Sequence, residues 1–177
     1  MLFSHRYNYD EDNRIREVET SLDGVVWERD AKYFYYAHGP LARVELGEQL
    51  VQGIDYIYNL QGWLKGINSN TLNPNRDPGL DGLQNGGPNS VVARDAYGLS
   101  LNYFDRDYDP INAGVWTAAN RFEATQNAST LRKSYHNLYN GNIGGMVSSI
   151  YDDHNRPITY GNAFVYDQLN RLVEAKT

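Results

Sequence analysis

The stretch "YNYDEDNRIREVET" at residues 7–20 decides the fold, and "FVYDQLNRLVEAKT" at residues 164–177 repeats it. The two stretches align without a gap. Each reads as an aromatic residue, any residue, Tyr, Asp, two variable residues, Asn, Arg and an aliphatic residue. A pattern that recurs in this way predicts a structural unit that the chain uses more than once.

The pattern has a direct physical meaning. Its two aromatic residues alternate, so both rings lie on one face of a strand. Asp10 then opens a turn, because its side chain can accept a backbone N–H group. Asn13 falls where a type I turn followed by a bulge needs a positive φ, which Asn and Gly tolerate best. Each copy therefore predicts a β-hairpin, with Asp10 and Arg14 close together across the turn.

Three further stretches carry the pattern. "SIYDDHNRPI" at residues 149–158 keeps it, and "YIYNLQGWL" at residues 56–64 has Asn and Gly in the places of Asp and Asn. "FYYAHGPLARVEL" at residues 34–46 predicts a looser copy whose turn is one residue shorter. Pro157 replaces the aliphatic residue and Trp63 replaces Arg, which predicts edge or distorted hairpins there. The signature residues, which we interpret as structural, are Tyr7, Tyr9, Asp10, Asn13, Arg14, Tyr56, Tyr58, Gly62, Tyr151, Asp152, Asn155, Arg156, Tyr166, Asp167, Asn170 and Arg171.

Composition points to the same fold class. The 177 residues include 15 Tyr and 16 Gly, and Tyr favours strands while Gly favours turns. Since a lone hairpin is marginally stable in water, hairpins must lie side by side. We therefore predict an all-β fold of consecutive antiparallel hairpins.

Residues 93–111 alternate like a strand. Residues 68–90 are rich in Asn, Gly, Asp and Pro, and they predict a long irregular surface loop.

Charge and hydrophobicity exclude several classes of function. The net charge is −6, which argues against a nucleic-acid partner, because phosphate binding needs a basic surface. No apolar run is long enough to span a membrane. The first twelve residues lack the apolar core of a signal peptide. Two interpretations stay open, a cytoplasmic protein or a piece of a larger exported chain, and the ending on a complete motif favours the second.

Three alternating aspartates are the best candidates for metal ligands. Asp105, Asp107 and Asp109 begin like a calcium loop, but Pro110 replaces the turn Gly and Trp116 stands where the last carboxylate belongs. We interpret them as a solvated strand end and predict no metal site. The four His also lack a metal-ligand spacing.

Catalytic chemistry has no marker in the sequence. The chain has no Cys and no G-x-S-x-G motif, so we predict no catalytic residue, no cofactor and no enzyme activity. Trp27, Trp63 and Trp116 could stack on sugar rings, and for Trp63 we favour packing of one hairpin on its neighbour. A glycoside hydrolase that uses two carboxylates stays open, because their separation is a property of the folded chain.

The repeated motif resembles the YD repeat of the RHS (rearrangement hotspot) family, which also occurs in teneurins and in the B and C components of bacterial Tc toxins. Longer stretches resemble large bacterial proteins of this family as well, among them "GIDYIYNLQGWLKGINSNTLNP", "VARDAYGLSLNYFDRDYDPI" and "LYNGNIGGM". The resemblance implies that the hairpins wind into a β-spiral shell, which often encloses a toxic C-terminal polypeptide.

On this resemblance, residues 1–177 are expected to form a single segment of a larger shell wall in a secreted or cell-surface bacterial protein. Its partners would be the adjacent repeats and the enclosed cargo of its own parent chain. The alternative is a cell-surface module that binds a glycan or a protein through aromatic side chains.

Overall fold

The computed structural model describes residues 3–83, 86–87, 89–110 and 136–177. These residues form ten antiparallel strands that neighbour one another in chain order, with no helix among them, and the predicted all-β fold of consecutive hairpins is confirmed. The described part of the chain thus contains no helix that could cross a membrane. The strands are β1 (Ser4–Tyr9), β2 (Ile15–Ser21), β3 (Glu28–Tyr35), β4 (Leu41–Leu46), β5 (Gln52–Tyr58), β6 (Leu64–Ile67), β7 (Tyr97–Asn102), β8 (Gly145–Tyr151), β9 (Pro157–Tyr166) and β10 (Leu172–Lys176).

Contacts divide the chain into two compact units. The first unit consists of residues 1–55 and 79–95, and it contains β1 to β4 and the beginning of β5. The second unit consists of residues 56–78 and 96–177, and it contains the end of β5 and strands β6 to β10. The sequence also predicts a short helical turn within residues 116–142, and most of these residues lie outside the described ones.

The first hairpin has the predicted corner. The Asp10 N–H donates to the Arg14 carbonyl at 2.9 Å, and the Asn13 N–H donates to the Asp10 carbonyl at 3.1 Å. Asn13 has a φ of 61°, the left-handed conformation that its position in the motif predicted. The hairpin prediction for residues 7–20 is therefore confirmed down to the conformation of its turn.

The same pair of backbone hydrogen bonds closes four more hairpins. In these corners the first N–H donates to the carbonyl four residues later, at distances of 2.9 to 3.0 Å. The residue before the acceptor has a positive φ in every case. The donor, the left-handed residue and the acceptor are Tyr36, Gly39 and Pro40; Asn59, Gly62 and Trp63; Asp152, Asn155 and Arg156; and Asp167, Asn170 and Arg171.

The prediction of a shortened turn in residues 34–46 is wrong. Tyr36 occupies the place that Asp has in the other copies, and Gly39 and Pro40 follow at the usual spacing. The turn therefore has full length. The sequence hid this alignment because Tyr36 is the fourth aromatic residue in a row and was aligned as part of the strand.

A register shift accompanies the corner in four of the five hairpins. After the first cross-strand pair, the return strand skips one residue, as in a β-bulge, and the skipped residues are Arg16, Ala42, Lys65 and Val173. Such a shift moves the following side chains to the other face of the strand. The β8–β9 hairpin continues without a shift from the pair of Tyr151 and Pro157.

Pro157 and Trp63 predicted edge or distorted hairpins, and of these two alternatives the edge hairpin is wrong. Strands β5, β6, β8 and β9 each have a neighbour on both sides. Pro157 is the first residue of β9, a position where a missing N–H group is tolerated.

The predicted loop at residues 68–90 is irregular in its described residues, but the prediction that it lies on the surface is wrong. Ser69 and Leu72 are buried, although the described residues of this segment contain no strand. In the second unit, the Asn70 side chain donates to the Ser100 hydroxyl at 3.0 Å, and the Ser149 hydroxyl donates to the Asn70 carbonyl at 2.6 Å. These hydrogen bonds replace water, so a polar segment can lie against the sheet.

The core of the second unit lies along β7. Leu99, Leu101 and Tyr103 are buried together, and Trp63 and Met146 pack against them. The predicted strand in residues 93–111 is confirmed, and five of the six residues of β7 are buried, including those on its polar face.

The conformation of Asn13 generates the first prediction. Replacement of Asn13 by Ala should lower the free energy of unfolding by about 1 kcal/mol, because Ala pays the steric cost of a positive φ. Replacement by Gly, which adopts that φ freely, should be close to neutral. Urea unfolding of the three proteins measures the difference, and an equal loss in both variants would contradict the role assigned to the corner.

Candidate functional site

The Asp, Asn, Gly and Arg members of the predicted signature set lie at the hairpin corners, where they hold the turn. One oxygen of the Asp10 carboxylate accepts the N–H groups of Asp12 and Arg14 at 3.0 and 2.9 Å. Its other oxygen accepts the Arg14 guanidinium at 2.7 Å. The Arg14 N–H, together with the guanidinium, lowers the pKa of Asp10 below its usual value. The predicted pairing of Asp10 and Arg14 is present.

Two other corners repeat this arrangement. Asp152 accepts the Arg156 guanidinium at 2.9 Å, and Asp167 accepts that of Arg171 at 2.7 Å. The backbone N–H of the arginine, followed by its side chain, lowers the pKa of both carboxyls. In the β5–β6 corner, the Asn59 side-chain oxygen takes the same role by accepting the Trp63 N–H at 2.9 Å. These groups are committed to the turn.

The signature tyrosines divide into two sets. The Tyr166 hydroxyl donates to the Ile143 carbonyl at 2.9 Å, so this residue ties its hairpin to a neighbouring segment. Tyr7 and Tyr9 on β1 are instead half exposed, with 49% and 54% of their surface open. Tyr7 stacks on His5, with ring centroids 6.3 Å apart. The exposed face of β1 is therefore aromatic.

A buried cluster of charges in the first unit was not predicted. The Arg43 guanidinium on β4 lies 2.5 Å from the Asp55 carboxylate, 2.7 Å from that of Asp81 and 3.2 Å from that of Glu45. Burial acts to lower the pKa of Arg43, but the carboxylates of Asp81 and Asp55 outweigh it and raise the pKa above its usual value. Arg43 is only 8% exposed, so it stays charged in the interior.

Two glycines allow this cluster to form. A β-carbon on Gly53 or on Gly79 would collide with the Arg43 guanidinium, and at Gly79 also with the Asp55 carboxylate. Small residues at these two places are therefore part of the arrangement. Nothing in the sequence pattern marks Arg43, because it stands in a strand whose polar residues look solvated. The cluster links β4, β5 and the irregular segment by charge.

A second buried cluster lies in the second unit, and it corrects the interpretation of the alternating aspartates. Asp107 is fully buried, and its carboxylate lies 2.7 Å from the Lys65 ammonium. The Tyr103 N–H donates to the other oxygen of Asp107 at 2.9 Å. The predicted solvated strand end is therefore wrong for Asp107. Asp107 is the middle carboxylate of the apparent calcium motif, and this carboxylate pairs with Lys65.

The tryptophans are in packed positions where the structure describes them. The Trp63 ring lies 5.0 Å from the Tyr103 ring, between centroids, so the prediction that Trp63 packs against a neighbouring element is confirmed. The Arg6 guanidinium lies over the Trp27 ring at 4.4 Å. Trp116 lies outside the described residues.

Comparison with models of protein families finds no match, and comparison with curated proteins finds no relative. The resemblance to YD repeats therefore rests on the residues quoted from the sequence. What the described residues add is a repeated corner, an aromatic edge strand and two buried charge clusters.

The Arg43 cluster generates the second prediction. Replacement of Arg43 by Met should lower the free energy of unfolding by about 3–5 kcal/mol, because it leaves buried carboxylates without a compensating charge. The matched control is Arg156→Met, which removes an arginine of similar role whose side chain is 71% exposed. The Arg156→Met variant should lose much less free energy of unfolding. Urea unfolding of both variants measures this, and similar losses would contradict the account of the cluster.

Proposed function

We propose that the chain is a non-catalytic structural segment of an RHS/YD-repeat shell. Its hairpins would form one section of the shell wall in a secreted or cell-surface bacterial protein. That shell would enclose a polymorphic toxin or a similar cargo. The partners of the segment would be the adjacent repeats of its own parent chain and the enclosed polypeptide.

The observation that carries this proposal is the repeated corner. Five hairpins close with the same backbone hydrogen bonds, and their strands pair in chain order. A design of this kind can be extended by adding hairpins at either end without changing those already present. It suits a wall, whose units must pair with their neighbours rather than converge on a cleft.

The terminal strands support the same interpretation. Strand β10 is the return strand of a signature hairpin, and β1 is the leading strand of another. All five residues of β10 are exposed, including the apolar side chains of Leu172 and Val173. Within the chain, the return strands β2, β4 and β6 each pair with the next strand. By analogy, β10 is suited to pair with a further strand.

This proposal generates the third prediction. Because the terminal strands offer unpaired backbone groups, the isolated chain should associate as its concentration rises. Replacement of Val173 by Lys, which places a charge on the terminal strand, should reduce the association. Leu60→Lys is the matched control, since Leu60 is an exposed apolar residue in a hairpin corner. Sedimentation of the three chains across concentrations measures the mass, and a monomeric wild-type chain at high concentration would contradict the proposal.

A binding module is the second candidate, and the aromatic face of β1 is the observation that favours it. Phe3, His5, Tyr7 and Tyr9 alternate along the chain and are exposed. Rings presented in this way could stack on sugars or on a protein partner.

A glycan array separates the two candidates and provides the fourth prediction. A wall segment should give no selective signal on the array. Selective binding that is lost when Tyr7 and Tyr9 are both replaced by Ser, and kept when the exposed Tyr139 is replaced by Ser, would favour the binding module. It would also contradict a purely structural role.

A further inference from the structure

An amine, an amide and a carboxyl group meet in the interior of the second unit. The Lys65 Nζ lies 2.9 Å from the Asn102 Oδ1 and 2.7 Å from the Asp107 Oδ1. The side chains of Lys65 and Asp107 are fully buried, and Asn102 is as well. A buried lysine that touches both an amide and an acid is an unusual arrangement, because lysine is almost never fully buried.

The backbone brings the three groups together. Lys65 is the residue that the return strand skips in the β5–β6 hairpin, and Asn102 ends the neighbouring strand β7. Asp107 is held in place by the Tyr103 N–H, which donates to its Oδ2 at 2.9 Å. Leu64 and Leu101, which precede Lys65 and Asn102 in sequence, belong to the apolar cluster of this unit.

The environment favours the uncharged form of Lys65. A buried ion pair pays a desolvation cost that its attraction does not always repay. Burial lowers the pKa of Lys65, although the negative charge of Asp107 acts in the opposite direction. Transfer of a proton from the ammonium to the carboxylate gives an amine and an acid. A neutral amine is a nucleophile, whereas an ammonium is not.

We propose that the Lys65 amine and the Asn102 side-chain amide react to form an isopeptide bond between β6 and β7, with Asp107 as the proton carrier. The neutral Lys65 Nζ attacks the Asn102 Cγ, and an N–C bond forms. The protonated Asp107 gives its proton to the departing amide nitrogen, and the carboxylate that results accepts the proton that the attacking nitrogen loses. The Cγ–Nδ2 bond breaks and ammonia leaves. No oxidant and no further reactant is needed.

The geometry fits this step. The Asn102 carbonyl bond is about 1.2 Å long, and Nζ lies 2.9 Å from Oδ1. The reacting nitrogen and carbon therefore lie within about 4 Å of each other. The Asn102 Nδ2, the leaving group, is buried and has no hydrogen-bond partner in the described part of the chain. The products are a neutral amide and a neutral acid, which can hydrogen-bond to each other where an ion pair stood.

The bond would be a covalent tie between two neighbouring strands. Lys65 and Asn102 are 37 positions apart in sequence, so the tie closes a long loop and restricts the unfolded chain, as a disulfide does. The chain has no Cys and so no disulfide. The isopeptide bond would give it a cross-link that is stable under reducing conditions. The inference is independent of the proposed place of the chain in a shell wall.

Mass spectrometry of the full-length chain tests the proposal and gives the fifth prediction. The intact mass should be lower than that of the sequence by one ammonia. Because an Asn-Gly sequence can also lose ammonia, the site of the loss must be located by peptide mapping. After denaturation and digestion with trypsin, residues 44–76 should stay uncut at Lys65 and be joined to residues 95–106. Unmodified mass with normal cleavage after Lys65, or loss of water through a bond to Asp107, would overturn the proposal.

Variants assign the roles. Lys65→Met keeps an apolar side chain in the buried position and should abolish the loss of ammonia and the branched peptide. Lys32→Met, on β3 in the first unit, is the matched control and should keep both. Asp107→Asn should slow bond formation by about 100-fold or more, because the proton carrier is lost. The branched peptide in the Lys65→Met chain, or a wild-type rate in the Asp107→Asn chain, would contradict the mechanism.

Discussion

The fold depends on one local constraint, the hairpin corner. In the first hairpin, the Asp10 N–H reaches the carbonyl of Arg14, while Asn13 between them takes a positive φ. The Asp10 side chain also accepts hydrogen bonds from the backbone N–H groups of Asp12 and Arg14 within the turn. Because all of these contacts lie within five residues, the local sequence specifies the corner. The sheet follows once neighbouring hairpins cover their apolar faces.

The two buried charge clusters act at a longer range than the corners. Arg43 on β4 joins β5 and the irregular segment through Asp55 and Asp81, and Lys65 joins β6 to the segment after β7 through Asp107. Such pairs add little net stability compared with apolar residues, but breaking one is costly. They therefore specify which segments meet. In a fold made of near-identical hairpins, specificity of this kind distinguishes one neighbour from another.

Local features were predictable from the sequence and distant ones were not. The corners at Asn13 and Asn155 could be predicted because the turn chemistry lies within the quoted motif. The burial of Ser69 and Asp107 could not, because it depends on strands that are far away in sequence. Polar composition suggested solvent exposure for both, yet side-chain and backbone partners replace the water. Among the candidate functional residues, the Arg43 cluster was missed for the same reason.

The most direct test of this account is the pattern of cross-strand proton contacts in the labelled chain, measured by nuclear Overhauser spectroscopy. The account predicts contacts between residues paired across each corner, such as Tyr9 with Ile15 and Tyr166 with Leu172. It also predicts antiparallel contacts between successive hairpins, such as Val18 with Ala31. Helical contacts within residues 7–20, or strands that pair out of chain order, would contradict it.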